Sequence, residues 1–211
     1  MSDVLRHWPA VVAPHTRVRD RLVEAYGAPG RGYHDLRHLT EVLDNVDLIT
    51  REQPELAFDR DAVVLAAWFH DAVYDAAPDD VERSAVLAER ELFTAGLPPL
   101  LVREVVRLVG VTGTHDPAED DAAGQVLCDA DLAILAAGPE RYREYVAGVR
   151  REYSHLSDEA FRAGRAAILR ALRGRRRLFH TDFALRTWEE PARANLDREL
   201  AVLETQEGHQ S

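Results

Sequence analysis

The feature that most constrains this chain is a histidine and an aspartate, His70 and Asp71, set side by side at the end of an apolar run that extends from Ala62 to Phe69. An uninterrupted apolar run of that length reads as a helix buried on most sides. A carboxylate placed there without a partner is costly, and a divalent cation offsets that cost where a loose solvent contact does not. Taken alone, the dipeptide is better explained by a helix ending at Asp71 and one core hydrogen bond at His70, because two-residue motifs recur by chance. The rest of the chain has to decide.

Composition narrows the setting. The chain has 211 residues and a mass of 23.7 kDa, enough for one well-filled domain, so residues 1–211 are read as a single unit with one core. No apolar run approaches the length of a bilayer span, and the first residues lack the basic segment and apolar stretch of a secretory signal. Cys128 is the only cysteine, which excludes an intrachain disulfide and a cysteine-rich zinc site. These features predict a cytoplasmic protein with no membrane partner. A net charge of -11 argues against a nucleic acid polymer, whose phosphates need a basic surface. The chain contains no lysine, which removes both a Schiff-base mechanism and a P-loop. Any bound phosphate must be met by arginine, histidine, backbone amides or metal.

Residues 14–25 carry an amphipathic helical pattern that ends at Gly27 and Pro29. Gly30 and Gly32 then lead into Tyr33-His34-Asp35-Leu36-Arg37-His38, and Leu39, Val42, Leu43 and Val46 follow at helical spacing. His38 is therefore expected in the first turns of a core-facing helix. If Asp35 is the N-cap, His34 approaches from the loop; an earlier start puts His34 and His38 on one face. Asp59 can cap the helix that carries the apolar run into His70 and Asp71. An acidic, helix-breaking loop over Asp75–Asp80 precedes an amphipathic helix through Phe93, and the apolar stretch Leu100–Val111 leads to Thr112-Gly113-Thr114-His115. In residues 126–135 the apolar pattern is again broken by acid, at Asp129 and Asp131. The remaining third predicts helices over 142–153, 158–172 and 191–203, with a frayed tail from Thr205. The run Arg173-Gly174-Arg175-Arg176-Arg177 could bind phosphate, although an exposed basic turn is usually only solvated. With no strand alternation and no internal repeat, the expected fold class is all-α.

His38, the pair His70 and Asp71, and Asp131 thus lie on or beside separate apolar helices, and imidazole and carboxylate ligands on facing helices are how α-helical bundles hold a divalent ion. The pattern resembles that of the HD-domain metal-dependent phosphohydrolase superfamily, whose signature is a histidine, a His-Asp pair and a distant aspartate. The segment from His38 to Val42 resembles its first-histidine helix, His70-Asp71 its doublet, and Ala130-Asp131-Leu132 its last ligand. The likeness is closer to a branch of predicted HD phosphohydrolases with a Tyr-His-x-Leu-x-His entry and a Trp-Phe-His-Asp-x-Val-Tyr-Asp core. It extends over nearly the whole chain, through Glu82-Arg83-Ser84-Ala85, Thr112, His115, Arg151-Glu152-Tyr153, Gly164-Arg165, and Glu189 with Ala192-Arg193-x-Asn195-Leu196. Asp80-Val81 departs from it, standing where that branch has Asn-Glu.

The resemblance implies a compact helical HD-type bundle in which His38, His70, Asp71 and Asp131 ligate a divalent metal cation, whether Mn, Mg, Fe, Co, Ni or Zn. It implies hydrolysis of a small phosphorylated metabolite, a nucleotide or pyrophosphate-containing compound, by metal-activated water. Asp129 competes with Asp131 for the last place; otherwise it is an N-cap or a partner of a ligand histidine. Asp71, Asp75 and His115 would be the catalytic groups, and Asp75 also reads as a helix-ending residue. His34, Arg37 and Arg165 would face the substrate, with a surface salt bridge the default for either arginine. Cys128 reads as a small core residue. Two other functions fit the same residues: a nucleotide or metal sensor that binds without turnover, and a di-iron oxygenase that recruits His34 and His115 as further ligands. An apolar helical face could also support a homodimer.

Overall fold

The structure, a computed structural model, describes residues 2–207, with side chains from Asp3 to Thr205. Among the described residues there are eleven α-helices and no strand: α1 (Ser2–Leu5), α2 (Thr16–Tyr26), α3 (Leu36–Glu52), α4 (Arg60–Phe69), α5 (Asp80–Thr94), α6 (Pro99–Thr112), α7 (Ala122–Leu132), α8 (Pro139–Glu152), α9 (Asp158–Gly174), α10 (Asp182–Thr187) and α11 (Glu189–Glu207). The fold is all-α, as the sequence predicts. Short 3-10 turns at Ala10–Val12 and Ala133–Ala136 complete it. The tail expected from Thr205 instead continues α11 to Glu207, and residues 208–211 lie outside the described residues.

Side-chain caps set the helix starts that matter for the site. Asp35 accepts hydrogen bonds from the backbone N–H groups of Arg37 and His38 and opens α3, which leaves His34 in the preceding loop. Asp59 does the same for Ala62 at the start of α4, and every residue of α4 from Ala62 to Phe69 is buried. A helix apolar all round has to be central, and α4 is enclosed by α3, α5, α6 and α7.

The buried apolar side chains form two clusters. One joins α1 through α7 and includes Leu39, Leu43, Trp68, Phe69, Leu108 and Leu127. The other gathers Tyr33, Leu135, Tyr145, Leu169, Phe179 and Leu196 from the second half of the chain and the loop before α3. Trp188 packs against both. No described helix is long and apolar enough to cross a membrane.

Candidate metal centre

Where the two clusters meet, four donor atoms converge from three elements. His38 comes from the first turn of α3, His70 and Asp71 from the residues that follow α4, and Asp131 from the last turn of α7. His38 Nε2 lies 3.2 Å from His70 Nε2, 3.4 Å from Asp71 Oδ2 and 3.2 Å from Asp131 Oδ1. His70 Nε2 is 3.0 Å from Asp71 Oδ2 and 3.6 Å from Asp131 Oδ1. Ligands about 2.1 Å from one ion, at angles between octahedral and tetrahedral, are themselves roughly 3.0–3.4 Å apart. Of these residues, His38, His70 and Asp71 form a group that could hold a divalent cation, and Asp131 Oδ1 lies beside its two imidazoles.

The chain has also fixed which nitrogen of His70 points inward. Its Nδ1 lies 2.8 Å from the carbonyl oxygen of Ala67 and donates to it, closing the end of α4 and directing the Nε2 lone pair at the cluster. Burial opposes charge on both histidines, yet the carboxylates of Asp71 and Asp131 outweigh it, raising the pKa of His38 and lifting that of His70 well above the ordinary value. Burial likewise opposes ionisation of the two aspartates, but His70 and the other imidazoles hold both well below the usual carboxylate range. Two carboxylates so placed demand positive charge, which protons on imidazole or a divalent cation can supply. Both histidine side chains are 2 % exposed whereas those of Asp71 and Asp131 are 16 and 13 %, so the cluster opens on its carboxylate side.

The neighbouring residues orient the donors. His115 Nε2 donates to Asp131 Oδ2 at 2.8 Å, leaving Oδ1 for the two histidines. His115 has a left-handed backbone with φ 48°, a conformation that is strained for a residue with a β-carbon. Asp71 is held through its main chain, its N–H donating to the Tyr26 hydroxyl and its carbonyl accepting from Arg31, which also bonds the carbonyls of His34 and Ala72. His34 stands at the edge of the cluster, 5.5 Å from His38 between ring centroids and stacked on Tyr74. Its Nδ1 lies 2.8 Å from Glu152 Oε2, while Oε1 of the same carboxylate accepts from the backbone N–H groups of Gly32, Tyr33 and His34. Burial would raise Glu152, but His34 and these amides hold it below the usual glutamate value.

The other residues singled out in the sequence lie apart from the cluster. Asp129 is fully buried and accepts from the backbone N–H groups of His180 and Thr181, anchoring the turn before α10, with burial pushing its pKa up to about 7. Asp131, not Asp129, faces the histidines. Asp75 pairs with Arg83 at 2.8 Å on an exposed loop. Arg37 pairs with Glu41 and Glu144, and Arg165 is buried against Glu199. Cys128 is buried, and that burial drives its thiol pKa upward. Sequence reasoning did not single out Arg31, whose partners Asp71 and Ala72 are far along the chain, nor Glu152 or Tyr33 as more than parts of a motif. The Tyr33 hydroxyl is buried with no hydrogen-bond partner among the described residues, and its ring sits 4.6 Å from that of His38. No protein-family model, curated protein or solved structure matches the chain.

Proposed function

We propose that this cluster is the metal centre of a hydrolase that cleaves the phosphate group from a small metabolite. The observation that carries the reading is the convergence of two imidazoles and two carboxylates from α3, the end of α4 and α7, with the second nitrogen of His70 already committed to Ala67. The resemblance of His38, His70-Asp71 and Asp131 to the HD signature supplies the reaction class. A divalent cation held by these four residues would lower the pKa of water toward neutrality and offset charge on phosphoryl oxygens. Hydrolysis joins the water oxygen to phosphorus and breaks the bond from phosphorus to the leaving oxygen, which takes up a proton. His34 is suited to handle that proton. Glu152 can only accept from its Nδ1–H, so Nε2 is the nitrogen left to exchange one. His115 keeps Asp131 turned toward the histidines.

Elemental analysis of the wild-type protein and Asp71→Ala, with a panel of phosphate esters assayed in parallel, tests the reading. Metal bound by the wild type and lost in the variant, with phosphate release following the metal, is the expected result. Equal metal content in both proteins would return His70 and Asp71 to a purely structural role.

A further inference from the structure

The cluster borders a cavity of about 590 Å³ whose wall includes Tyr33, His34, His115 and Asp131, a size within the roughly 300–1,000 Å³ of small-molecule sites. Apart from those residues, Thr114 and two arginines, the wall is largely apolar, formed by Leu135, Val149, Phe161 and Leu172 with the rings of Tyr145 and Tyr153. Leu156 and Ile168, two of the large apolar side chains that the fold leaves exposed, stand on the same wall at 36 and 55 % exposure. Apolar surface left uncovered and continuous with a polar centre suits a ligand with an apolar body. Among the larger side chains of α9 the wall also includes Ala160, Gly164 and Ala171, and a β-carbon built on Gly164 would meet nothing within 4 Å.

Positive charge on this wall is sparse. Arg165 is taken up by Glu199. Arg175 donates to the carbonyls of Thr114 and His115 and has no carboxylate partner among the described residues. Arg176 and Arg177 line a neighbouring pocket instead, whose wall also carries Asp116 and Glu119. One guanidinium whose charge no carboxylate offsets, held beside the cluster by its bonds to the Thr114 and His115 carbonyls, matches one phosphoryl group, whereas a di- or triphosphate would press further charges against leucine and phenylalanine.

We infer that the substrate is a phosphomonoester whose alcohol carries a bulky, uncharged, largely apolar body, seated between α8 and α9 with its phosphoryl group between the metal cluster and Arg175. The inference rests on the hydrolase reading for its reaction: water and monoester give alcohol and inorganic phosphate, the P–O bond to the alcohol breaking and a water proton passing to the alcohol oxygen.

Two measurements test it on the full chain supplied with Mn²⁺. The first compares kcat/KM for hexyl phosphate and ethyl phosphate, which have equivalent leaving oxygens, alongside pyrophosphate and ATP. The second titrates hexylphosphonate, whose C–P bond resists hydrolysis, into wild type and Gly164→Leu by calorimetry. Leucine in place of an exposed helical glycine favours the helix, so the variant folds. The expected results are a preference for hexyl over ethyl phosphate of at least about tenfold, and phosphonate binding weakened about tenfold in Gly164→Leu while metal content stays the same. Equal kcat/KM for the two esters, or a preference for pyrophosphate or ATP, overturns the inference and leaves the hydrolase reading standing. Phosphonate binding that Gly164→Leu weakens, with no substrate hydrolysed, supports the cavity assignment and sinks the hydrolase reading. Neither binding nor hydrolysis overturns both.

Discussion

The replacement Asp71→Asn isolates the proposed metal-holding role of the cluster from its structural role. Tyr26 and Arg31 grip the main chain of Asp71, so both contacts survive the change, and the amide is nearly the same size as the carboxylate. What disappears is one negative donor 3.0 Å from His70 Nε2 and 3.4 Å from His38 Nε2. A ligand that binds only the folded state at 100 times its Kd stabilises it by about 2.7 kcal/mol. For a chain of this size each kcal/mol moves the Tm by about 2–4 °C, so saturating metal should raise the wild-type Tm by roughly 5–11 °C over a chelator-treated sample. Losing even an outer partner of a metal ligand weakens affinity about 10–100-fold, so losing a direct charged donor should reach at least the upper figure. At the same metal concentration the variant would then stand near its own Kd, where the stabilisation is about 0.4 kcal/mol and the Tm rises by only about 1–2 °C. Differential scanning fluorimetry of both proteins, each with metal and with chelator, reads the two shifts directly. Shifts of equal size would refute the assignment of Asp71 as a ligand.

The metal-induced shift should also grow with pH. The raised pKa values of His38 and His70 contribute stability to the metal-free protein that is fully present below the unfolded histidine value of about 6.5 and fades as pH climbs through the raised folded values. The lowered values of Asp71 and Asp131 contribute stability that persists above about 3.9 and fades only as pH falls through their depressed values. Metal must displace the histidine protons, so its stabilising effect should be larger at pH 8 than at pH 6, and a pH-independent shift would contradict the ligand set. Asp129→Ala should separate the two neighbouring acids: it leaves the buried N–H groups of His180 and Thr181 without their acceptor, a loss of about 2–6 kcal/mol that thermal unfolding would register, while metal content stays at the wild-type level. Glu152→Gln keeps an oxygen for the three backbone amides but puts an NH2 where the carboxylate accepts from His34. Turnover should therefore fall by about tenfold or more, with metal content and Tm little changed, and undiminished turnover would remove His34 from proton transfer.

How much of this site is legible in the sequence follows from the range of each contact. The caps at Asp35 and Asp59 act within three residues, and α3 and α4 begin where those residues place them. His38, His70, Asp71 and Asp131 stand out because each interrupts an apolar helical pattern. Asp129 and Asp131 interrupt the same one, and residues two apart project about 200° from each other around a helix. Nothing local says which side α3 and α4 occupy. The fold settles it by sending Asp131 to the histidines and Asp129 to amides 51 and 52 residues further on. Arg165 reads as a surface salt bridge or a substrate contact, and only the fold, by bringing Glu199 from 34 residues away, makes it a buried pair.

The loop before α3 shows what a pattern of spacing leaves out. Gly32 reads locally as a turn residue, but the structure uses it for contact with α8: a β-carbon there would overlap the carbonyl oxygen of Gly148, and one on Gly148 would come 2.6 Å from the carbonyl oxygen of Gly32. Only paired glycines let the two backbones approach so closely, and that approach lets Glu152, 118–120 residues away, take the amides of Gly32, Tyr33 and His34. The α3, α4 and α7 side of the site gathers the proposed ligands, and the α8 and α9 side supplies the clamp on His34 and the cavity wall. Substitutions in the first group should therefore act on metal binding and those in the second on substrate with the metal retained, a division that parallel measurements of metal content and turnover would expose.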